Sequence, residues 1–167
     1  MPLSPDYISK LNRLQLLYRK FPQLAGIEAV NFSKERFRQK NWLDRTREKW
    51  EPRKRIGTTK KKPKGSILVV SGRLKRSVKK LRQTRNSVTI GTDVPYARIH
   101  NEGGEITKTV TVEKHSRVRA GRKSTVKSHK RTMNTTIPQR QFIGESAILL
   151  RRVERLVERE IRKIIRS

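Results

Sequence analysis

Cysteine is absent from the 167 residues, which excludes a disulfide framework and any thiolate metal site. Acidic residues are scarce: 14 Asp or Glu face 43 Lys or Arg, for a formal charge of +29. Apolar residues reach 32%, below the usual 45–50% of a globular chain even after glycine is counted in. The hydrophobic core must therefore be small, with basic segments lying outside it. Aromatic residues make up 5% and fall mainly in helical patterns, so a surface of exposed rings for base stacking is not expected. No apolar run reaches the 18 residues of a membrane span. Met1 to Asp6 lack the charged and apolar regions of a secretory leader. A chain of this length holds one domain.

What is present is positive charge, unevenly spread. Residues 33–65 hold fourteen Lys or Arg against four Asp or Glu, and residues 105–136 hold nine against two. Such self-repulsion destabilises a compact state unless a partner neutralises it, so a nucleic acid or another acidic partner is expected, met through phosphates without sequence reading. The segment 51–65 carries seven Lys or Arg and two Pro. It has almost nothing to bury and is expected as a basic mobile loop, with Lys60, Lys61 and Lys62 as polyanion contacts.

Periodicity divides the rest. Ile8, Leu11, Leu14, Leu17, Tyr18 and Phe21 recur at helical spacing, which predicts a helix over 6–20. Pro22 suits the first turn of a second helix, whose face carries Ile27, Val30 and Phe37 and which fades near Trp42–Leu43. The two are expected as an antiparallel hairpin over 6–43. Residues 66–104 are expected as a sheet core. In it Ser71 is a candidate cap for a short helix carrying Leu74 and Val78, residues 77–83 fit either helix or strand, and Ser87–Ile90 read as a strand. Ile106, Lys108, Val110 and Val112 alternate with threonines, and Ala120–Gly121 is a turn candidate, so 105–134 is expected as a long projecting β-hairpin whose tip buries nothing. Leu150, Val153, Val157, Ile161 and Ile164 mark a helix over 144–166, with the stripe facing the core.

Catalytic chemistry finds little support. His115 and His129 lie on opposite arms of the predicted hairpin without an accompanying carboxylate, so no metal is expected. His100-Asn101-Glu102 has the residue types of a nuclease His-Asn pair, but no second histidine follows at useful spacing. No paired acids and no His-activated nucleophile stand out, and Gly103-Gly104 lacks the Lys-Ser/Thr of a phosphate loop. No enzyme and no cofactor are expected. Two motifs remain: Gly91-Thr92-Asp93-Val94-Pro95-Tyr96-Ala97-Arg98-Ile99-His100-Asn101-Glu102-Gly103-Gly104, and Thr136-Ile137-Pro138-Gln139-Arg140-Gln141-Phe142-Ile143-Gly144. Each reads as a rigid corner, with Tyr96 or Phe142 anchoring the turn in the core. Structural corner and assembly contact are both open readings.

The order of these motifs carries a resemblance. Leu68-Val69-Val70-Ser71-Gly72-Arg73-Leu74-Lys75-Arg76-Ser77, then Gly-Thr-x-x-x-Tyr-Ala-x-Ile-His-Asn-x-Gly-Gly, then a Thr/Val hairpin, then Ile137 to Gly144 and an amphipathic terminal helix, together resemble the phage virion morphogenesis family. These are the tail completion proteins of contractile-tailed Mu-like phages and related prophages. The resemblance spans about residues 25–165. It implies an α+β fold, a small antiparallel sheet packed by helices, and a non-enzymatic head–tail joining or tail-terminating protein. It further implies a homo-oligomeric ring, expected as a hexamer, at the virion neck or tail end, made in the bacterial host cytoplasm. Neighbouring connector and tail-tube proteins would be its partners, no membrane is involved, and double-stranded DNA would pass close by.

The expected site residues fall into two sets. Arg117, Arg119, Arg122, Lys123, Lys127, Lys130 and Arg131 at the hairpin tip, with Lys60 to Lys62, would meet DNA or an acidic neighbour. Ser71, Gly72, Gly91, Tyr96, His100, Asn101, Gly103, Gly104, Pro138, Arg140, Phe142 and Gly144 would form corners and assembly contacts. The rival reading is a non-enzymatic basic accessory protein, nucleoid- or ribosome-associated; a nuclease comes third.

Overall fold

A computed structural model describes residues 4–53 and 65–166. In chain order these form helix α1 (Pro5–Gln39), strands β1 (Asn41–Leu43) and β2 (Arg47–Lys49), helix α2 (Arg73–Ser77), strands β3 (Lys79–Gln83) and β4 (Val88–Gly91), helix α3 (Ala97–Glu102), strands β5 (Gly104–Val112), β6 (His115–Arg119), β7 (Arg122–Val126) and β8 (His129–Ile137), and helix α4 (Ala147–Arg166). The class is α+β, and the strands pair antiparallel, two by two: β1 with β2, β3 with β4, β5 with β8, β6 with β7.

The predicted N-terminal hairpin is instead one helix. α1 runs unbroken through a buried Pro22, although an interior proline removes a hydrogen bond and costs about 3 kcal/mol. The offset is tertiary. α4 lies antiparallel along α1 on both sides of the proline: Val153, Val157 and Ile161 share a groove with Leu14, Leu17 and Phe21, and Arg152 bonds Glu35 at 2.9 Å. The helix starts at Ser4, whose Oγ accepts from Tyr7 N, and stops where Lys40 turns left-handed at φ 54°. Gly26 is buried on the face that meets β3 and β4, and a Cβ there would lie 2.7 Å from Val88 Cγ2; its missing side chain sets how closely this hairpin approaches the helix.

The core gathers Phe37, Trp50, Leu74, Val78, Val94, Ala97 and Phe142, with Ile67, Leu68, Val69 and Ile143 against it. Phe37 meets Trp50 edge-on at 5.7 Å and Phe142 at 4.9 Å between centroids. Residues 77–83, open between helix and strand on the sequence, divide: α2 ends at Ser77 and β3 begins at Lys79. The cap falls one residue later than expected, on Gly72 at φ 70°, while Ser71 Oγ accepts only a long bond from Arg73 N at 3.4 Å.

α4 is tied at its start. Ser146 is buried; its Oγ donates to Leu43 O at 2.7 Å and accepts from Leu149 N at 3.1 Å, and Asp44 Oδ1 accepts from Ala147 N at 2.6 Å. Backbone hydrogen bonds from Ala147 and Arg45 hold the Asp44 carboxyl below its ordinary pKa. The stripe on α4 is only half-buried, and Leu150, expected inside, is 63% exposed. Leu150→Ala should accordingly move the unfolding free energy by no more than about 0.5 kcal/mol in urea titration.

The basic hairpin holds as expected and runs slightly longer. β5 and β8 pair from Gly104↔Ile137 to Val112↔His129, and β6 and β7 from His115↔Val126 to Arg119↔Arg122. Ala120 and Gly121, at φ 49° and 75°, supply the two positive-φ residues of a tight hairpin turn.

Candidate assembly and nucleic-acid surfaces

The two sequence corners meet in space and make one clasp. α3 presents Asn101, whose Oδ1 accepts from Phe142 N (2.9 Å) and Ile143 N (3.0 Å) while its Nδ2 donates to Ile143 O (3.0 Å). His100 O accepts from Arg140 N at 2.7 Å. The Arg140 guanidinium, on a residue only 7% exposed, donates from Nε to Glu51 O at 3.0 Å and from Nη2 to Pro52 O at 3.4 Å. Trp50 Nε1 donates to Gln141 O at 2.9 Å. Gly103, at φ 75°, lets α3 end against this segment, since a Cβ would sit 2.9 Å from Gln139 N.

Asn101, Arg140 and Phe142 thus point into the clasp, and Pro138 and Gly91 are partly covered. Tyr96 does not anchor the core: it is 42% exposed and stands edge-on to His100 at 5.9 Å. The reason is that Val94 and Ala97 on either side take the core positions. His100 lies half-buried with Nδ1 shielded and unpartnered; burial, and then the neighbouring Arg140 charge, lower its pKa. Ser71, Gly104 and Gly144 are exposed and Gly72 half-buried. A shallow groove joins Leu68, Val70, Ser71, Tyr96, His100 and Arg140.

At the hairpin tip Arg117, Arg119, Arg122, Lys123, Lys127, Lys130 and Arg131 are all exposed. Strand alternation and register put Arg117, Arg119 and Arg122 on one face and Lys123 on the other. Arg119 stands directly opposite Arg122, a like-charge pair that weakens an isolated hairpin and is relieved by a counter-anion. His115 and His129 do not converge: they face Val126 and Val112, and each Nδ1–H donates to a nearby carbonyl, Glu113 O at 2.9 Å and Lys127 O at 3.0 Å. Among the described residues no three His, Asp or Glu gather as metal ligands, and no helix is long and apolar enough to cross a membrane. Lys60, Lys61 and Lys62, with most of the expected basic loop, lie outside the described residues.

One surface escaped the sequence reading. Leu14, Leu17, Tyr18 and Phe21 of α1 and Val153, Val157 and Ile161 of α4 line an open apolar groove of about 580 Å³. Tyr7 and Leu11, on the same face of α1, extend the exposed apolar surface toward its N-terminus. The signal was available, since apolar residues cover more of α1 than one partner helix can bury.

Against this geometry the comparison with known families is specific. Residues 22–162 match the model of the phage virion morphogenesis family, and the chain belongs to that family. No curated protein and no solved structure matches it.

Proposed function

We propose that this chain is a structural, non-enzymatic protein of the phage head–tail junction, which completes or terminates the tail by assembling as a ring of its own copies, expected as a hexamer, beside the DNA path. Family membership supports a virion assembly role. The observation that carries the finer reading is the hairpin: it projects from the body, has no core of its own, and its tip holds seven exposed cations. Such an arm suits contact with a polyanion through phosphates, loose enough for a genome to slide past. The apolar groove between α1 and α4 supports assembly, because monomers rarely leave such a surface bare. Connector and tail-tube proteins would flank the ring.

The test combines light scattering with duplex binding. The wild-type protein should have a multimeric mass, and its affinity for random-sequence duplex should fall with a log–log salt slope of roughly −4 if four or five tip cations each meet a phosphate. Arg119→Gln, Arg122→Gln, Lys123→Gln and Lys127→Gln together should flatten that slope and leave the mass unchanged. Loss of assembly in this variant would make the tip a protein contact instead. A monomer that still binds duplex would favour the rival reading, a nucleic-acid-binding accessory protein.

A further inference from the structure

α4 carries a second charged feature that neither the hairpin nor the apolar groove explains. Arg151, Arg155, Arg159, Arg162 and Arg166 lie at intervals of four, four, three and four residues within one continuous helix. At 3.6 residues per turn they fall within about 80° of arc and run for about 22 Å. All five are exposed. The face opposite carries Val153, Leu156, Val157 and Ile164, half-buried, so the arginines look away from the body. From Arg151 to Arg166 this arc holds only arginine; one flank continues with Arg152 and Lys163, and the other carries the exposed Glu154 and Glu158, which form no ion pair with the arginines.

The stripe differs from an ordinary solvated face. A solubilising surface helix alternates its charges, whereas here 151/155, 155/159 and 162/166 are like-charge pairs at i,i+4, each of them destabilising. Glu160 takes Lys163 at 2.8 Å and only distantly Arg159 at 3.8 Å, and Arg152 is used on Glu28 and Glu35. Among the described residues Arg151, Arg155, Arg162 and Arg166 form no ion pair. The residue type is also selective: every basic position within the arc is Arg, the planar donor suited to phosphate, and none is Lys. A docking face for an acidic protein would centre on an apolar anchor; this stretch has none.

We propose that the outer face of α4 is a phosphate track for duplex nucleic acid, independent of the hairpin tip. The proposal rests on the reading of DNA as a partner and adds a second place of contact. Four arginines spaced along 22 Å engage the backbone of one duplex by charge, without reading bases.

The experiment measures salt-dependent binding of a random-sequence 30-base-pair duplex, and of poly-glutamate, by the full chain. The variant replaces Arg151, Arg155, Arg162 and Arg166 with Gln, leaving Arg159 and Arg152 with their carboxylates. A control replaces four scattered exposed cations, Arg38, Arg45, Lys49 and Arg85, with Gln. The α4 variant should lose about 3.6 of the log–log slope for duplex, four contacts at about 0.9 each and separate from the roughly −4 expected of the hairpin tip, with its melting temperature kept or raised because like-charge pairs are gone. The control should lose much less. An unchanged slope, or an equal loss in the control, overturns the track. Loss of poly-glutamate binding with duplex binding intact also overturns it, in favour of an acidic protein partner. The hairpin variant separates the two readings: if it alone flattens the slope, DNA stands as partner and the α4 track fails. If neither variant changes the slope, both the hairpin tip and the α4 track fail as DNA contacts.

Discussion

Phe142→Ala should lower the unfolding free energy by about 3–5 kcal/mol, the range for removing a fully buried phenyl ring. The residue is 1% exposed. Its ring lies 4.9 Å from Phe37, which in turn meets Trp50 edge-on, so one truncation opens a hole where α1, the 50–53 segment and the 140–143 segment come together. The site is poorly placed to collapse. The backbone around the ring is fixed by three hydrogen bonds to the Asn101 side chain and by Arg140 N to His100 O, and a pinned segment cannot close over a cavity. Urea unfolding of Phe142→Ala beside Tyr96→Ala makes the test. Tyr96, partly exposed, should cost clearly less. Equal losses would mean that the two sequence corners contribute alike and that the clasp is not centred on Phe142.

That clasp shows how much was legible beforehand. The alternating threonines and valines of 105–112, the Ala120–Gly121 turn and the apolar period of 149–164 were readable because each is a local pattern. The two corners were visible as motifs, but nothing local says that Asn101 bonds to residues 142 and 143, or that Trp50 donates to Gln141; those contacts join positions some 40 and 90 apart. α3 is six residues long, too short to display a helical period. Pro22 misled for the same reason. It is a strong local breaker, and it was overruled by α4, which arrives more than a hundred residues later to pack along both halves of α1. Leu150 misled in the opposite sense: it keeps the helical spacing of its stripe, yet nothing lies across from it there. The candidate cations of the hairpin were found by composition, which needs no fold, while the α4 arginines share a helix with an apolar stripe that drew the reading to the core side.

Glu35→Gln should destabilise the protein by about 2–3 kcal/mol at neutral pH, and much of that loss should vanish in acid. Glu35 Oε2 accepts from Arg36 Nη2 at 2.8 Å and from Arg152 Nη1 at 2.9 Å, so one carboxylate joins α1 to α4. Both guanidiniums also lie over the Phe32 ring, at 4.5 and 5.2 Å from its centroid. Arg36 is 2% exposed. Without the carboxylate it keeps Asn41 Oδ1 at 2.9 Å and Phe32 O at 3.4 Å but is left with no ion-pair partner among the described residues. Breaking a fully buried pair costs about 3–5 kcal/mol; Glu35 keeps 29% side-chain exposure, which places the expected loss below that range. Burial acts to raise the Glu35 pKa, but the hydrogen bonds and charges of Arg152 and Arg36 outweigh it and hold the group below its ordinary 4.5. A carboxylate with a depressed folded pKa contributes stability that is complete above the unfolded value and is lost as pH falls through the folded one. Other carboxylates, Asp44, Asp93 and Glu160, are lowered as well, so the wild type loses stability in acid for several reasons. The informative quantity is the difference between wild type and Glu35→Gln. Urea unfolding at pH 7 and again below pH 4 should show that difference narrowing as the Glu35 carboxylate takes up its proton. A difference that stays constant would show that glutamine disturbs packing against Arg36 and Phe32, and that the charge shared by the two arginines contributes little to holding α4 on α1.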